Sequence, residues 1–171
     1  MRRLPISEVN TMPGEAFVAA FGGIAEHSDW VAAIAERRRP YADRDNMVAA
    51  FEQAVRVADR ETQLDLLNAH PDLAGRAAIA GDIGADSRSE QVGAGLDSLT
   101  AAEFDRFTDL NARYRERFGF PFILAVRGAT KHDILAAFER RIDNDPDAEF
   151  ATAIEQVCRI MRFRLEDRVG E

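Results

Sequence analysis

The chain has 171 residues, of which 46% are hydrophobic, and carries a net charge of −8 at pH 7. That length suits one domain with a sizeable core, so residues 1–171 are expected to fold as a single unit. The arginines are interleaved with acids, as in "RRIDNDPDAEF", which excludes a basic nucleic-acid stripe.

The longest apolar run, "FGFPFILAVRG" (118–128), falls short of the roughly 20 residues a membrane span needs. The start, "MRRLPISEVN", has arginines but no apolar segment behind them, so a secretory signal is not expected. The end, "EDRVGE", is not a peroxisomal address of the SKL type. Cys158 is the single cysteine and cannot form an internal disulfide, which fits a reducing compartment. A cytoplasmic, soluble protein that binds a small molecule or another protein is the expectation.

Helical spacing dominates along the chain. Residues 12–21 place Phe17 and Phe21 on one face, and Gly22-Gly23 ends that helix. Ser28 is placed to cap a second helix, carrying Trp30 and Ile34, that stops before Pro40. Asp43 or Asp45 opens a third, in which Met47, Phe51 and Ala54 recur at helical spacing. A fourth is predicted from about residue 60 to 69, with Leu64 and Leu67 inward. "SRSE" (87–90), "TAAE" (100–103) and "TKHD" (130–133) each read as a capping box or its aspartate variant. Phe104, Phe107, Leu110, Tyr114 and Phe118 then mark a long helix closed by Gly119, and Ile134, Leu135, Phe138 and Ile142 mark another. Asp145-Pro146 begins the last, with Phe150, Ile154, Val157, Met161 and Leu165. "FPFILAV" is the one β-like run and has no partner strand, so it is expected to be extended or turn-rich within a helical core. The fold class is therefore all-α, with an extended apolar segment near residues 119–128.

Three stretches carry candidate chemistry. In "AHPDL", Pro71 forbids helix and restricts the residue before it, so His70 is presented from a helix end on a constrained backbone. It is either a helix-end histidine favoured by the dipole or an imidazole aimed for proton transfer. In "SRSEQVGAGL", Ser87 and Glu90 fit a capping box, yet Gly93 and Gly95 cost helix stability and allow a ligand or another backbone to come close. "FGFPFILAVRG" puts Arg127 at the edge of an apolar segment whose backbone N–H and C=O groups need partners, which a planar substrate rich in amide groups could supply. The competing reading of Arg127 is an ordinary ion pair. His27, His70 and His132 lie far apart and form no metal-ligand pattern, and no glycine-rich phosphate loop occurs. Cys158 lies at helical spacing from Ile154 and reads as a packed thiol.

Taken in order, "AHPDLAG", "SRSEQVGAGL" and "YRERFGFPFILAVRG" resemble one family, 2-oxo-4-hydroxy-4-carboxy-5-ureidoimidazoline (OHCU) decarboxylase of urate degradation. "FGGIAEHSDW", "RRRPY", "RRIDND" and "MRFRLEDR" look like its flanking elements, so the resemblance covers roughly residues 6–168. It implies an all-helical fold, decarboxylation of a ureidoimidazoline to (S)-allantoin with no cofactor or metal, and a homodimer. Carried over by position, it implies His70 as the essential histidine, followed by Pro71. Ser87, Glu90 and Gln91 match the active-site Ser-x-x-Glu-Gln, Arg127 matches the arginine after the apolar run, and the backbone around Ile123 to Ala125 is implied to contact the ring. The absent peroxisomal tail points to a bacterial-type cytoplasmic enzyme. Two other readings stay open: a non-catalytic helical ureide-binding module, and a hydrolase acting on a related ureide.

Overall fold

Thr100 and Thr130 show how directly local chemistry sets the helices. Each side-chain oxygen accepts the N–H three residues on, from Glu103 and Asp133, and each of those acids accepts the threonine's own N–H in return. The computed structural model describes residues 2–171, and its helices are α1 (Ile6–Thr11), α2 (Gly14–Phe21), α3 (Trp30–Glu36), α4 (Arg44–Arg56), α5 (Arg60–Asn68), α6 (Arg76–Ala80), α7 (Ala85–Gly93), α8 (Ala101–Phe118), α9 (Lys131–Arg141) and α10 (Pro146–Arg168). No strand occurs among the described residues, where Leu4 and Val169 form one isolated parallel bridge. The fold is all-α, as expected.

Two compact units divide the chain. One comprises the chain up to Ala69 together with Val157–Glu171, and the other is His70–Gln156. Helix α10 contributes its first part to the second unit and its remainder to the first.

In the first unit, Phe17, Phe21 and Phe51 are almost completely buried with Val9, Met47, Leu67 and Met161. Arg39, from "RRRPY", lies over the Phe17 ring at 4.9 Å and donates to the Val9 and Met12 carbonyls at 2.9 and 2.6 Å. It thereby caps carbonyls at the end of α1, adding to the long 3.4 Å bond that the Met12 N–H makes to the Val9 carbonyl. Arg164, from "MRFRLEDR", donates to the Ile24 carbonyl and to the buried Glu26 carboxylate of "FGGIAEHSDW".

In the second unit, Tyr114 on α8 is the centre of an aromatic cluster. Phe120, Phe122 and Phe138 meet it edge-on at 5.4–5.8 Å, and Phe122 stacks on Phe138 at 3.9 Å. Residues 121–126 carry no regular secondary structure, and all but Leu124 are buried. The segment is thus an irregular apolar strip inside a helical unit, held at its start by Gly119 in the left-handed region (φ 79°).

Several local expectations are corrected. Ser28 does not cap α3: its hydroxyl donates to the Glu26 carbonyl at 2.8 Å, and α3 buries Val31, Ala32 and Ala35 while Ile34 is exposed. Helix α5 turns Leu66 and Leu67 inward, with Leu64 only half-buried. The short helices α1 and α6 were not foreseen, being too brief to show a periodic face.

Candidate active site

Helix α5 ends at Asn68, and the N–H of Ala69 closes its last turn on the Asp65 and Leu66 carbonyls at 3.0 and 3.2 Å. His70 therefore lies beyond the helix, not in it, and is buried with 6% exposure. Pro71 follows at once and prevents the chain from turning back into helix.

The loop after Pro71 is fixed by three side chains from α7 and α8. The Gln91 carboxamide bridges it: Oε1 accepts the Ala74 N–H at 2.9 Å, and Nε2 donates to the Asp72 carbonyl at 3.2 Å. Asn111 Nδ2 donates to the Leu73 carbonyl at 2.9 Å, and Arg115 Nε donates to the Asp72 carboxylate at 2.9 Å. Within this clamp Ala74 takes a positive φ of 54°, uncommon for any residue with a side chain. A Cβ on Gly75 would stand 2.9 Å from Asp72 Cβ, so only glycine fits there without a shift.

Ser87, Glu90 and Gln91 lie inside α7, one helical turn apart on one face. Ser87 and Gln91 are buried and Glu90 is half-buried. The capping-box reading of "SRSE" is overturned, because α7 starts three residues earlier, with Gly84 rather than Ser87 as its N-cap and no side-chain cap. A serine and an acid left in mid-helix at buried or half-buried positions are not spent on the helix terminus. Gly95 is explained by its φ of 80°, which ends α7, whereas a Cβ on Gly93 would meet nothing within 4 Å. A cavity of about 240 Å³ opens beside Gln91, Val92 and Leu96, facing Gly81 and Ile83. It is smaller than the roughly 300 Å³ at which pockets for drug-sized ligands begin.

The segment leading to Arg127 is anchored separately. The Ile123 carbonyl accepts from Arg141 Nη1 at 2.7 Å, and the Ala125 N–H donates to Gln156 Oε1 at 3.0 Å. These two backbone groups, expected to face a ring, are met by protein side chains. Arg141 is itself buried: Nε donates to Glu149 Oε1 at 2.7 Å, and its guanidinium lies 4.4 Å from the Phe122 ring centre. Glu149 is fully buried and also accepts from the Tyr114 hydroxyl at 2.5 Å and from Asn144 at 3.1 Å. Burial, and then the hydrogen bond to Glu149, push the Tyr114 phenol far above its usual range, so it stays a donor. Val126 is buried and Arg127 exposed, followed by Gly128 at φ 78°, so the cation stands at the edge of the apolar strip.

Asn111, Arg115, Arg141, Glu149 and Gln156 were not singled out from sequence. Asn111 left a readable trace, since it stands beside Leu110 at helical spacing from both Phe107 and Tyr114, on the apolar face of the helix. Among the described residues, no group of three or more His, Cys, Asp or Glu side chains is arranged to hold a metal ion. Cys158 is buried on α10, as a packed thiol should be.

The buried His70 on its clamped loop, the α7 face bearing Ser87, Glu90 and Gln91, and Arg127 at the rim of the apolar strip all belong to the second, all-helical unit. The family described as OHCU decarboxylase matches residues 10–166. The chain is 44% identical over 168 residues to the 2-oxo-4-hydroxy-4-carboxy-5-ureidoimidazoline decarboxylase of Haloferax volcanii, covering 98% of both. It is 40% identical to the protein of that name from Halalkalicoccus jeotgali, covering 98% of this chain and 93% of that one. A crystal structure of (S)-allantoin synthase is similar with a TM-score of 0.80 and 34% identity, over 98% of this chain and 54% of that longer one. The chain belongs to the OHCU decarboxylase family.

Proposed function

We propose that the chain decarboxylates OHCU to (S)-allantoin in urate degradation, using neither metal nor organic cofactor. The observation that carries this reading is the family match across residues 10–166, which takes in the clamped His70 loop, the Ser87–Gln91 face and the Arg127 turn. Because the match spans both compact units, the whole chain is taken as one functional domain.

The substrate supplies its own electron sink. Its ring carbon bearing the hydroxyl and carboxylate loses CO2, the electron pair left behind forms a C=C to the carbon bearing the ureido group, and the displaced C=N electrons go to the ring nitrogen, which takes up a proton. The resulting C=C is then protonated at the carbon bearing the ureido group, while the hydroxyl gives up its proton and becomes a carbonyl. The protein must fix the ring, exclude water and deliver that proton to one face. His70 exchanges the proton with the substrate hydroxyl and ring, an imidazole being the side chain most used for general acid–base work. Glu90 orients the ring and ureido N–H groups or shares the proton transfer. Arg127 binds a ring or ureido oxygen that gains charge as CO2 leaves, since a clamp on the departing carboxylate would mainly stabilise the ground state. Pro71, Ser87 and the backbone of Ile123 to Ala125 shape the binding surface. The Gln91 carboxamide, which spans the Asp72 and Ala74 backbone, serves that surface by fixing its edge.

The resemblance also carries a homodimer, which light scattering tests, and a cytoplasmic setting. Among the described residues no helix is long and apolar enough to cross a membrane. The deciding experiment supplies freshly generated substrate and follows CO2 release and the optical rotation of the product. Enzyme-dependent formation of one allantoin enantiomer is expected, and it should survive exhaustive chelation. Racemic product formed at the uncatalysed rate would leave a ureide-binding module, and ammonia or urea release would leave a hydrolase.

A further inference from the structure

We infer that Asn111 is a positioning residue for His70, acting through the Leu73 carbonyl; the inference rests on the proposed role of His70 in the reaction. Asn111 is 6% exposed on α8, in a slot of the helix that its neighbours fill with Phe and Tyr. Its Nδ2 donates to the Leu73 carbonyl at 2.9 Å, three residues beyond His70, while its Oδ1 is buried without a hydrogen-bond partner. Burying an unsatisfied acceptor opposes folding, and a leucine of similar branching would avoid that cost at an apolar position. Packing alone therefore gives no reason for an amide here. What the amide uniquely supplies is a donor aimed at the backbone between His70 and the strained Ala74. Gln91 grips the carbonyl of Asp72 and the N–H of Ala74 on either side of that point, and Arg115 holds the Asp72 side chain. With both flanks held, the Leu73 carbonyl is the remaining hinge of the loop, and Asn111 locks it. A shift of about 1 Å in a proton-transfer group costs as much as 100-fold in rate, so a lock this near His70 controls turnover without touching substrate.

The test uses Asn111→Leu and, because a core substitution can fail to fold, Arg115→Gln on the more exposed side of the same clamp. Three histidines, His27, His70 and His132, give few enough ring carbon–proton NMR signals to follow individually. The His70 signal is assigned by its loss in His70→Asn. In Asn111→Leu the His70 signal is expected to move or broaden while His27 and His132 stay in place. Its kcat is expected to fall about 10-fold or more, with KM within about twofold of the parent. Arg115→Gln is expected to melt like the parent and to show the same changes more weakly, with kcat down about threefold. A His70 signal coincident with the parent in every folded variant overturns the inference, as does an unchanged kcat. If His70→Asn itself turns over normally, the reading of the reaction falls and the kcat expectation with it. The His70 signal then still decides whether Asn111 positions that ring.

Discussion

Arg141 donates from Nη1 to the Ile123 carbonyl at 2.7 Å, tying α9 to the apolar strip that ends in Arg127. The same guanidinium holds the fully buried Glu149, so one side chain serves both a core ion pair and the backbone of the candidate site. Breaking such a pair from one side is far worse than removing both members, because it strands a buried charge. Arg141→Met is expected to cost about 3–5 kcal/mol of stability. The double variant Arg141→Met/Glu149→Leu is expected to be less destabilised than that single one, although it still leaves the Ile123 carbonyl and Tyr114 hydroxyl without these partners. Denaturant melts of the parent and both variants check the order. A double variant that melts below Arg141→Met would mean that the hydrogen bonds, not the stranded charge, dominate.

Acid stability has a local signature at the capping box of α8. Lys131, donating to Glu103 at 2.8 Å, and then the Thr100 N–H hold the Glu103 carboxyl down at about 2, from an ordinary 4.5. A depressed carboxylate means that the unfolded chain takes up its proton first as the pH falls. The stabilisation is therefore complete above the unfolded value and is lost as the pH drops through the folded one. Asp59 and Asp133 are lowered in the same direction by the N–H groups of Thr62 and Thr130. Glu103→Gln is expected to flatten the stability profile between about pH 5 and pH 2, and added salt is expected to weaken the difference. A profile as steep as the parent's would place the acid sensitivity elsewhere.

These helix starts were legible because capping is local: Thr100 and Glu103 need only each other. The all-α class was legible for the same reason, through apolar residues repeating along single helices. "SRSE" misled because the capping pattern is also simply a serine and an acid one turn apart, and nothing in four residues says whether the helix began earlier. The clamp on residues 72–74 was out of reach, since its side chains come from positions 17 to 43 residues away. The side-chain partners of the Ile123 and Ala125 backbone were out of reach for the same reason. Arg141 and Gln156 reach those backbone groups only once the helices are assembled.

His70 lies past the end of α5, beyond the closing turn made by Ala69, so removing its imidazole leaves the helix hydrogen bonds in place. His70→Asn is expected to lower turnover by at least about 100-fold, the usual scale for an acid–base group. A histidine acting only on the helix dipole predicts instead a stability change of about 1 kcal/mol or less with normal kinetics. Steady-state rates and melts on one preparation separate the two. Near-normal turnover in a folded variant removes His70 from the proton path.

Glu90 allows a sharper separation, because the structure has already taken away its role as a cap. It lies in the interior of α7, where its carbonyl accepts the Ala94 N–H at 3.1 Å whatever its side chain is. Glutamine has nearly the same helix propensity and shape, so Glu90→Gln is expected to shift stability by less than about 1 kcal/mol. It keeps a carbonyl oxygen able to accept one N–H from a ring, but it cannot exchange a proton and carries no charge. Turnover is expected to fall by about 100-fold or more if Glu90 takes part in the proton transfer. If it only orients the ring, the loss should be smaller and appear mainly in KM, since the contact then serves ground state and transition state alike. The optical purity of the allantoin adds a second readout. A Glu90 that controls which face receives the proton should, when replaced, let the product drift toward the racemate. Parent-like kcat, KM and optical purity together would remove Glu90 from the chemistry and leave His70 and Arg127 to carry it.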